Sequence, residues 1–375
     1  MAGERRVPAL LGHAGGGEAR RTGRLDYFWV TEHHFFVEIS HVSSPELFLA
    51  AVAQHTSKIR LGHAIVVLPV NHLFQVCERI NTLDILSNGR AEFGTGRGSA
   101  PYELGGFKLD PAETRDMCDE ALTAICRMWE HEKFPGFQGR YYDLPERHVI
   151  PRPVQRPHPP IWVAASQPST FALAASRGLG VLGLTLMPPD ELVPAVQAYR
   201  DAEKGAQPYG QVANHQIAAF APTFVDQDDA RGRRIACEAT RWYLGASDNR
   251  SLIEEERFGG ELKGDVNKYC RDAVAAGKDR RTLGQTLTDE QLVESGMVCG
   301  GNVDTICRTV EKWANVGFDQ LMMMPQMGHT SHEDIMRALE LLGTHVLPKF
   351  QDRPTVAVPR QGATDIDLNG LFLEV

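Results

Sequence analysis

The sequence predicts an α/β fold built on a parallel sheet. Seven short apolar runs of strand length recur between residues 25 and 325, and stretches with helical periodicity separate them. Most of the runs are continuously hydrophobic rather than alternating, as expected of strands covered on both faces.

The first run is LDYFWV (25–30), aromatic and β-branched. Ser44, Pro45 and Glu46 then read as a helix start, with a cap, a first-turn proline and an acid at the positive dipole end. LGHAIVVL (61–68) is the second strand. A helix beginning at Asn71 carries Leu73, Val76, Ile80 and Leu83 on one face. Ser87 to Arg90 form a tight turn before the strand Ala91–Thr95. A helix over 116–129 and a surface hairpin or loop over 134–156 follow. Next come the strand 159–164, a helix over 168–177, the strand 180–186, a helix over 190–203 and the strand 216–225. Residues 226–295 are charged and strand-free, and read as helices with loops. Asn302 caps a helix bearing Val303, Ile306, Val310 and Trp313. The last strand is 319–325, and Ser331 caps the final helix.

A closed parallel barrel needs eight strands. An open, doubly wound sheet is the alternative. Against it, the segment Gly94 to Gly98 (GTGRG) lacks the Gly-x-Gly-x-x-Gly spacing of a dinucleotide-binding turn.

Composition narrows the function. The 375 residues carry a net charge of −9, which disfavours a nucleic-acid or anionic-membrane partner. No apolar run of about 18 residues is present, so no membrane span is expected, and Ala9–Leu11 is too short for a signal-peptide core. The seven cysteines form no Cys-x-x-Cys pair; this argues against a disulfide framework or zinc site and for a cytoplasmic location.

In a parallel barrel, functional groups follow the C-terminal ends of strands. Three polar clusters fall there. Glu32, His33 and His34 follow the first run. Adjacent histidines on extended backbone point to opposite sides, so at most one faces a cavity; taken alone, they can equally be packing residues. Gly94 to Gly98 surround Arg97, where backbone N–H groups and a guanidinium suit an anion. Ser166, Ser169 and Thr170 open a helix, where hydroxyls either cap it or join its dipole in holding a phosphate. No metal-ligand spacing and no Gly-x-Ser-x-Gly elbow appear.

At these residues the chain resembles the bacterial luciferase-like, flavin-dependent monooxygenases. The resemblance is close over roughly residues 23–225 and looser over 297–350. It is carried by LDYFWVTEHHF, by RLGHAIVVLPVNHLFQVCERINTLDILSNGRAEFGTGRG and by PPIWVAASQPSTFALAASRG. It implies a TIM (β/α)₈ barrel that binds reduced FMN at its C-terminal face, as a single domain over 1–375. Residues 226–295 would be an insertion or lid before the last strand. By position, Arg97 would hold the FMN phosphate with Ser166 and Ser169 or Thr170, beside the Gly94 loop. His33 would match the catalytic histidine, with His34 its neighbour. Ala64–Ile65 falls where the family often has a cis peptide beneath the flavin ring. The implied chemistry is oxygenation of a small organic substrate by O₂ through a C4a-(hydro)peroxyflavin. A separate reductase would supply the reduced FMN, and the enzyme would be a homodimer through the second and third barrel helices. An F420-dependent oxidoreductase of the same fold is the alternative, and a non-catalytic flavin-binding protein a further one.

The sequence also departs from the family. Gly96 stands where the luciferases have a reactive cysteine, and Ala165 where they have an acid. Only 24 residues precede LDYFWV, so the first strand is degenerate or missing; Arg6–Leu11 is its one candidate.

Overall fold

The computed structural model describes residues 25–36, 39–98, 100–183, 186–258 and 280–350. The chain alternates strands and helices as the periodicity predicts. β1 (Tyr27–Val30) leads to α1 (Pro45–His55), β2 (Arg60–His63), β3 (Val66–Val67) and α2 (Leu73–Leu86). β4 (Ala91–Gly96) is followed by the short α3 (Pro101–Gly106) and the long α4 (Thr114–Glu130). A hairpin of β5 (Phe137–Gln138) and β6 (Asp143–Leu144) precedes β7 (Ile161–Ala165), α5 (Pro168–Ser176), β8 (Gly180–Gly183) and α6 (Val193–Ala202). β9 (Ile217–Val225) runs into α7 (Asp229–Phe258), α8 (Arg280–Thr286) and α9 (Asp289–Glu294). β10 (Cys299–Gly301), α10 (Val303–Val316), β11 (Gln320–Met324) and α11 (His332–Leu341) complete the described part.

The order of pairing decides between the two architectures. β1 pairs β2, β2 and β3 pair β4, β4 pairs β7, β7 pairs β8, β8 pairs β9 and β9 pairs β11, all in parallel. Neighbours in space follow chain order with no reversal, whereas a doubly wound sheet reverses at a switch point. The fold is the TIM-barrel type. Among the described residues β1 pairs only β2, and β11 only β9. The strand candidate Arg6–Leu11 lies outside the described residues.

Some local expectations need correction. The strand expected over 61–68 is broken: Ala64–Ile65 is a cis peptide, and Leu68–Val70 form a 3₁₀ turn. Helix α2 begins at Leu73 rather than Asn71, whose side chain is engaged elsewhere. Ser44 makes no side-chain cap. The strand from Gly180 is described as far as Gly183, and the helix expected from Asp190 opens as a 3₁₀ turn, Pro189–Leu192. β10 is three residues long and contains two glycines, too short for any periodicity; it pairs with the far end of β9, Cys299 opposite Thr223. Other signals hold. The Asn302 side chain accepts from Thr305 N at 3.0 Å, and Ser331 Oγ from Asp334 N at 3.1 Å. Asn88 (φ 53°) and Gly89 (φ 73°) make the turn before β4.

Inside the sheet, Trp162, Leu182 and Ala218 form a buried layer against Trp29, Ala64, Ile65 and Met322. Beneath it the buried Glu92 pairs with Arg60 and accepts from Trp162 Nε1 at 2.6 Å. Two glycines permit these approaches. The Trp29 ring lies over Gly62, and a Cβ on Gly94 would collide with the His63 carbonyl oxygen.

Two outcomes follow. Gly94→Ala forces β4 away from His63 and should destabilise the fold by roughly 1–3 kcal/mol or more, read as a lower midpoint in urea. His63 is fully buried with Nε2 unpartnered, and burial lowers its pKa from 6.5 to about 4. The folded-state value is the lower one, so its contribution is complete above pH 6.5 and is lost as pH falls toward 4. The loss is on the order of 3 kcal/mol. Urea midpoints at pH 7 and pH 4.5 should differ less in His63→Gln than in the native chain.

Candidate active site

Parallel pairing brings the C-terminal ends of β1, β3, β4 and β7 side by side, and with them all three polar clusters. The histidine pair divides as extended backbone requires. His33 Nδ1 lies 3.1 and 3.2 Å from the two carboxylate oxygens of Glu103 on α3. His34 Nε2 lies 3.0 Å from Glu32 Oε1. The backbone N–H of His34 also donates to Glu103, at 2.6 Å. Each imidazole therefore has its own carboxylate. His33 is the more open, with 32% of its side chain exposed against 19% for His34.

Glu32 is itself buried. Its Oε2 accepts the Val67 N–H at 2.9 Å and its Oε1 accepts Asn71 Nδ2 at 3.0 Å. Asn71 thus serves this network rather than a helix cap. The carboxylate reaches the chain just beyond the cis Ala64–Ile65 bond, where resemblance placed one. Ala64 N–H donates to Val30 O at 2.7 Å, which ties the same segment to β1. Ile65 packs over Gly96 at the end of β4.

Arg97 emerges directly after Gly96. It is half-buried and makes no hydrogen bond or ion pair among the described residues. Burial and then the nearby Arg115, in the first turn of α4, lower its pKa. Two neighbouring guanidiniums, neither in an ion pair among the described residues, favour an anion. Thr95 pairs Val163, so Arg97 comes out beside Ala165 and Ser166. Ser166 and Ser169 are exposed and Thr170 half-buried at the start of α5. The Gln167 side chain makes no cap and Pro168 has no N–H. No hydrogen bond of the three hydroxyls is seen among the described residues at this terminus. Gly94 stands apart: it lies lower in β4, fully buried against His63.

The sequence did not point to Glu103, Asn71 or Arg115. Glu103 and Asn71 act on residues 69 and 39 positions away respectively, and no local pattern encodes that.

A loop of ring contacts closes over the histidines. Phe35 sits at φ 66° with its ring 5.4 Å from Phe107 and 6.4 Å from Tyr102. Gly106 admits it, since a Cβ there would meet the Phe35 ring.

The family model described as luciferase-like monooxygenase matches residues 21–320. The 4-hydroxyprotoasukamycin monooxygenase of Streptomyces nodosus subsp. asukaensis is 34% identical over 325 residues, 86% of this chain and 82% of that one. The match to protein y4wF of Sinorhizobium fredii is 38% identical but spans only 44% of this chain and 48% of that one. Two solved structures share the fold. The FMN complex of the oxygenating constituent of 3,6-diketocamphane monooxygenase from Pseudomonas putida has TM-score 0.66 at 22% identity, covering 92% of this chain and 90% of that one. The coenzyme F420-dependent tetrahydromethanopterin reductase of Methanopyrus kandleri has TM-score 0.64 at 22% identity, covering 92% and 94%.

Glu32→Gln turns an amide N–H₂ toward donors that need an acceptor. It should cost about 1–3 kcal/mol and speed hydrogen exchange at the Val67 amide. Unchanged exchange there would show that the carboxylate does not hold the segment.

Proposed function

The chain belongs to the luciferase-like monooxygenase family, and we propose that it is an FMN-dependent monooxygenase acting on a small organic substrate. One observation carries the choice of cofactor class: a half-buried, uncompensated Arg97 beside Arg115 and the open N-terminus of α5. These donors fit a phosphate monoester such as that of FMN. When bound, reduced FMN would supply the electrons that activate O₂, and one oxygen atom would pass to the substrate.

The protein's own part is to hold, orient and exclude. Arg97 and Arg115 would neutralise the phosphate, with Ser166, Ser169 and Thr170 donating to its oxygens. Ala64 and Ile65, fixed through Glu32 and Val30, would underlie the ring system. His33 would hold or move a proton at Nε2, the nitrogen that faces away from Glu103, and His34 would keep the loop in place through Glu32. The described parts of 226–295, residues 226–258 and 280–295, would cover the mouth and exclude water; residues 259–279 lie outside the described residues. A separate reductase would deliver reduced flavin, since the sequence has no dinucleotide-binding turn. A homodimer through α1 and α2 fits the outer face of α1, where Leu47 is 72% exposed.

An F420-dependent oxidoreductase is the second reading, favoured by the similarity to the Methanopyrus kandleri reductase. Anaerobic titration of the chain with reduced FMN and with reduced F420, followed by tryptophan fluorescence, separates the two. FMN should saturate the chain. Arg97→Ala should weaken it at least about tenfold, the loss of one charge-assisted hydrogen bond of about 1.5–3 kcal/mol. Absence of saturable FMN binding, or equal binding by Arg97→Ala, would overturn the proposal.

A further inference from the structure

We infer that Glu103 is the positioning residue that fixes the tautomer and orientation of His33. The inference rests on the reading of His33 as the proton-handling group of the site. A neutral imidazole has one N–H and one lone pair, and which nitrogen carries which is set by the partner of the other. Glu103 is buried, at 7% exposure, and both its oxygens lie within hydrogen-bond distance of His33 Nδ1. An ionised carboxylate only accepts, so Nδ1 must carry the hydrogen. The lone pair is thereby placed on Nε2, which makes no bond among the described residues and belongs to the more exposed of the two rings.

Two further contacts make the arrangement specific. The same carboxylate accepts the His34 N–H at 2.6 Å, so it fixes the backbone that carries the ring as well as the ring itself. Glu32 does not compete for His33, because it is engaged by His34, Val67 and Asn71. The Phe36 ring lies 5.6 Å from that of His33 and 6.2 Å from Tyr102 on α3, so α3 braces the ring from a second side.

The step this prepares is simple. An X–H bond of a group at the mouth breaks, an N–H bond forms at Nε2 and the electron pair stays on X. The resulting imidazolium then faces the Glu103 carboxylate, which stabilises it. With the opposite tautomer Nε2 would carry hydrogen and could not accept.

The test reads the tautomer directly in the full chain, without flavin. Long-range proton–nitrogen NMR correlation of ¹⁵N-histidine-labelled protein, at a pH where the ring is neutral, reports which nitrogen bears the hydrogen. His33→Gln assigns the signal by removing it. The native chain should show the Nδ1–H form. Glu103→Asp, which keeps an acceptor, should retain it. Glu103→Gln, whose amide can also donate, should shift the ring to the Nε2–H form or a mixture, with the thermal midpoint checked as a control. A native ring in the Nε2–H form overturns the inference, and so does a folded Glu103→Gln whose tautomer is unchanged. Should Glu103→Gln fail to fold, the native and Glu103→Asp spectra decide. None of these outcomes depends on flavin binding, so failure of the FMN titration overturns the proposed function and leaves the tautomer result standing.

Discussion

Three hydrogen-bond donors from different stretches of chain converge on the buried Glu32 carboxylate: the Val67 amide, the Asn71 side chain and the ring of His34. A carboxylate removed from water must find such partners or become costly. Here its partners are the segments that form the mouth of the barrel. Val67 lies just beyond the cis bond, Asn71 just before α2, and His34 in the loop after β1. Their mutual placement follows from this one group. Ile65 then lies over Gly96, and Gly96 leads to Arg97, so the Arg97 end is built outward from the same anchor.

The chain between β4 and α4 links the two chemical ends of the site. Arg97 and Glu103 are six positions apart. One faces the α5 terminus and the other the histidine pair. Gly98, at φ 72°, turns the chain between them.

The sequence was most legible where structure is local. Apolar runs marked the strands, while Asn302 and Ser331 announced their helices through hydrogen bonds spanning three residues. It was least legible where the determinant is distant. Nothing within LGHAIVVL signals by pattern that the run breaks at Ala64–Ile65; its apolar continuity is that of an unbroken strand, and only resemblance pointed to the bond. β10 is too short for any periodicity. Of the site, the residue types placed at strand ends were readable because chemistry follows strand ends in this architecture. Their partners were not, because Glu103 and Asn71 find theirs through the fold. Gly94 has a structural reason that no local pattern showed: its missing side chain makes room for the His63 carbonyl.

The two departures from the luciferases have steric and electrostatic reasons in this chain. A Cβ on Gly96 would run into the Cδ1 end of Ile65, so a cysteine there requires a smaller or displaced residue at 65. Ala165 is buried at 4% exposure among apolar neighbours. An acid in its place would lose water inside this packing and would draw on the neighbouring Arg97 for its charge. The absences of the thiol and the acid are thus coupled to Ile65 and to the packing behind β7. Restoring either residue alone would disturb the floor or the wall of the site before it added any chemistry. Specialisation here lies in how the strand ends are packed around a half-buried Arg97, an uncapped α5 terminus and two histidines each held by a carboxylate.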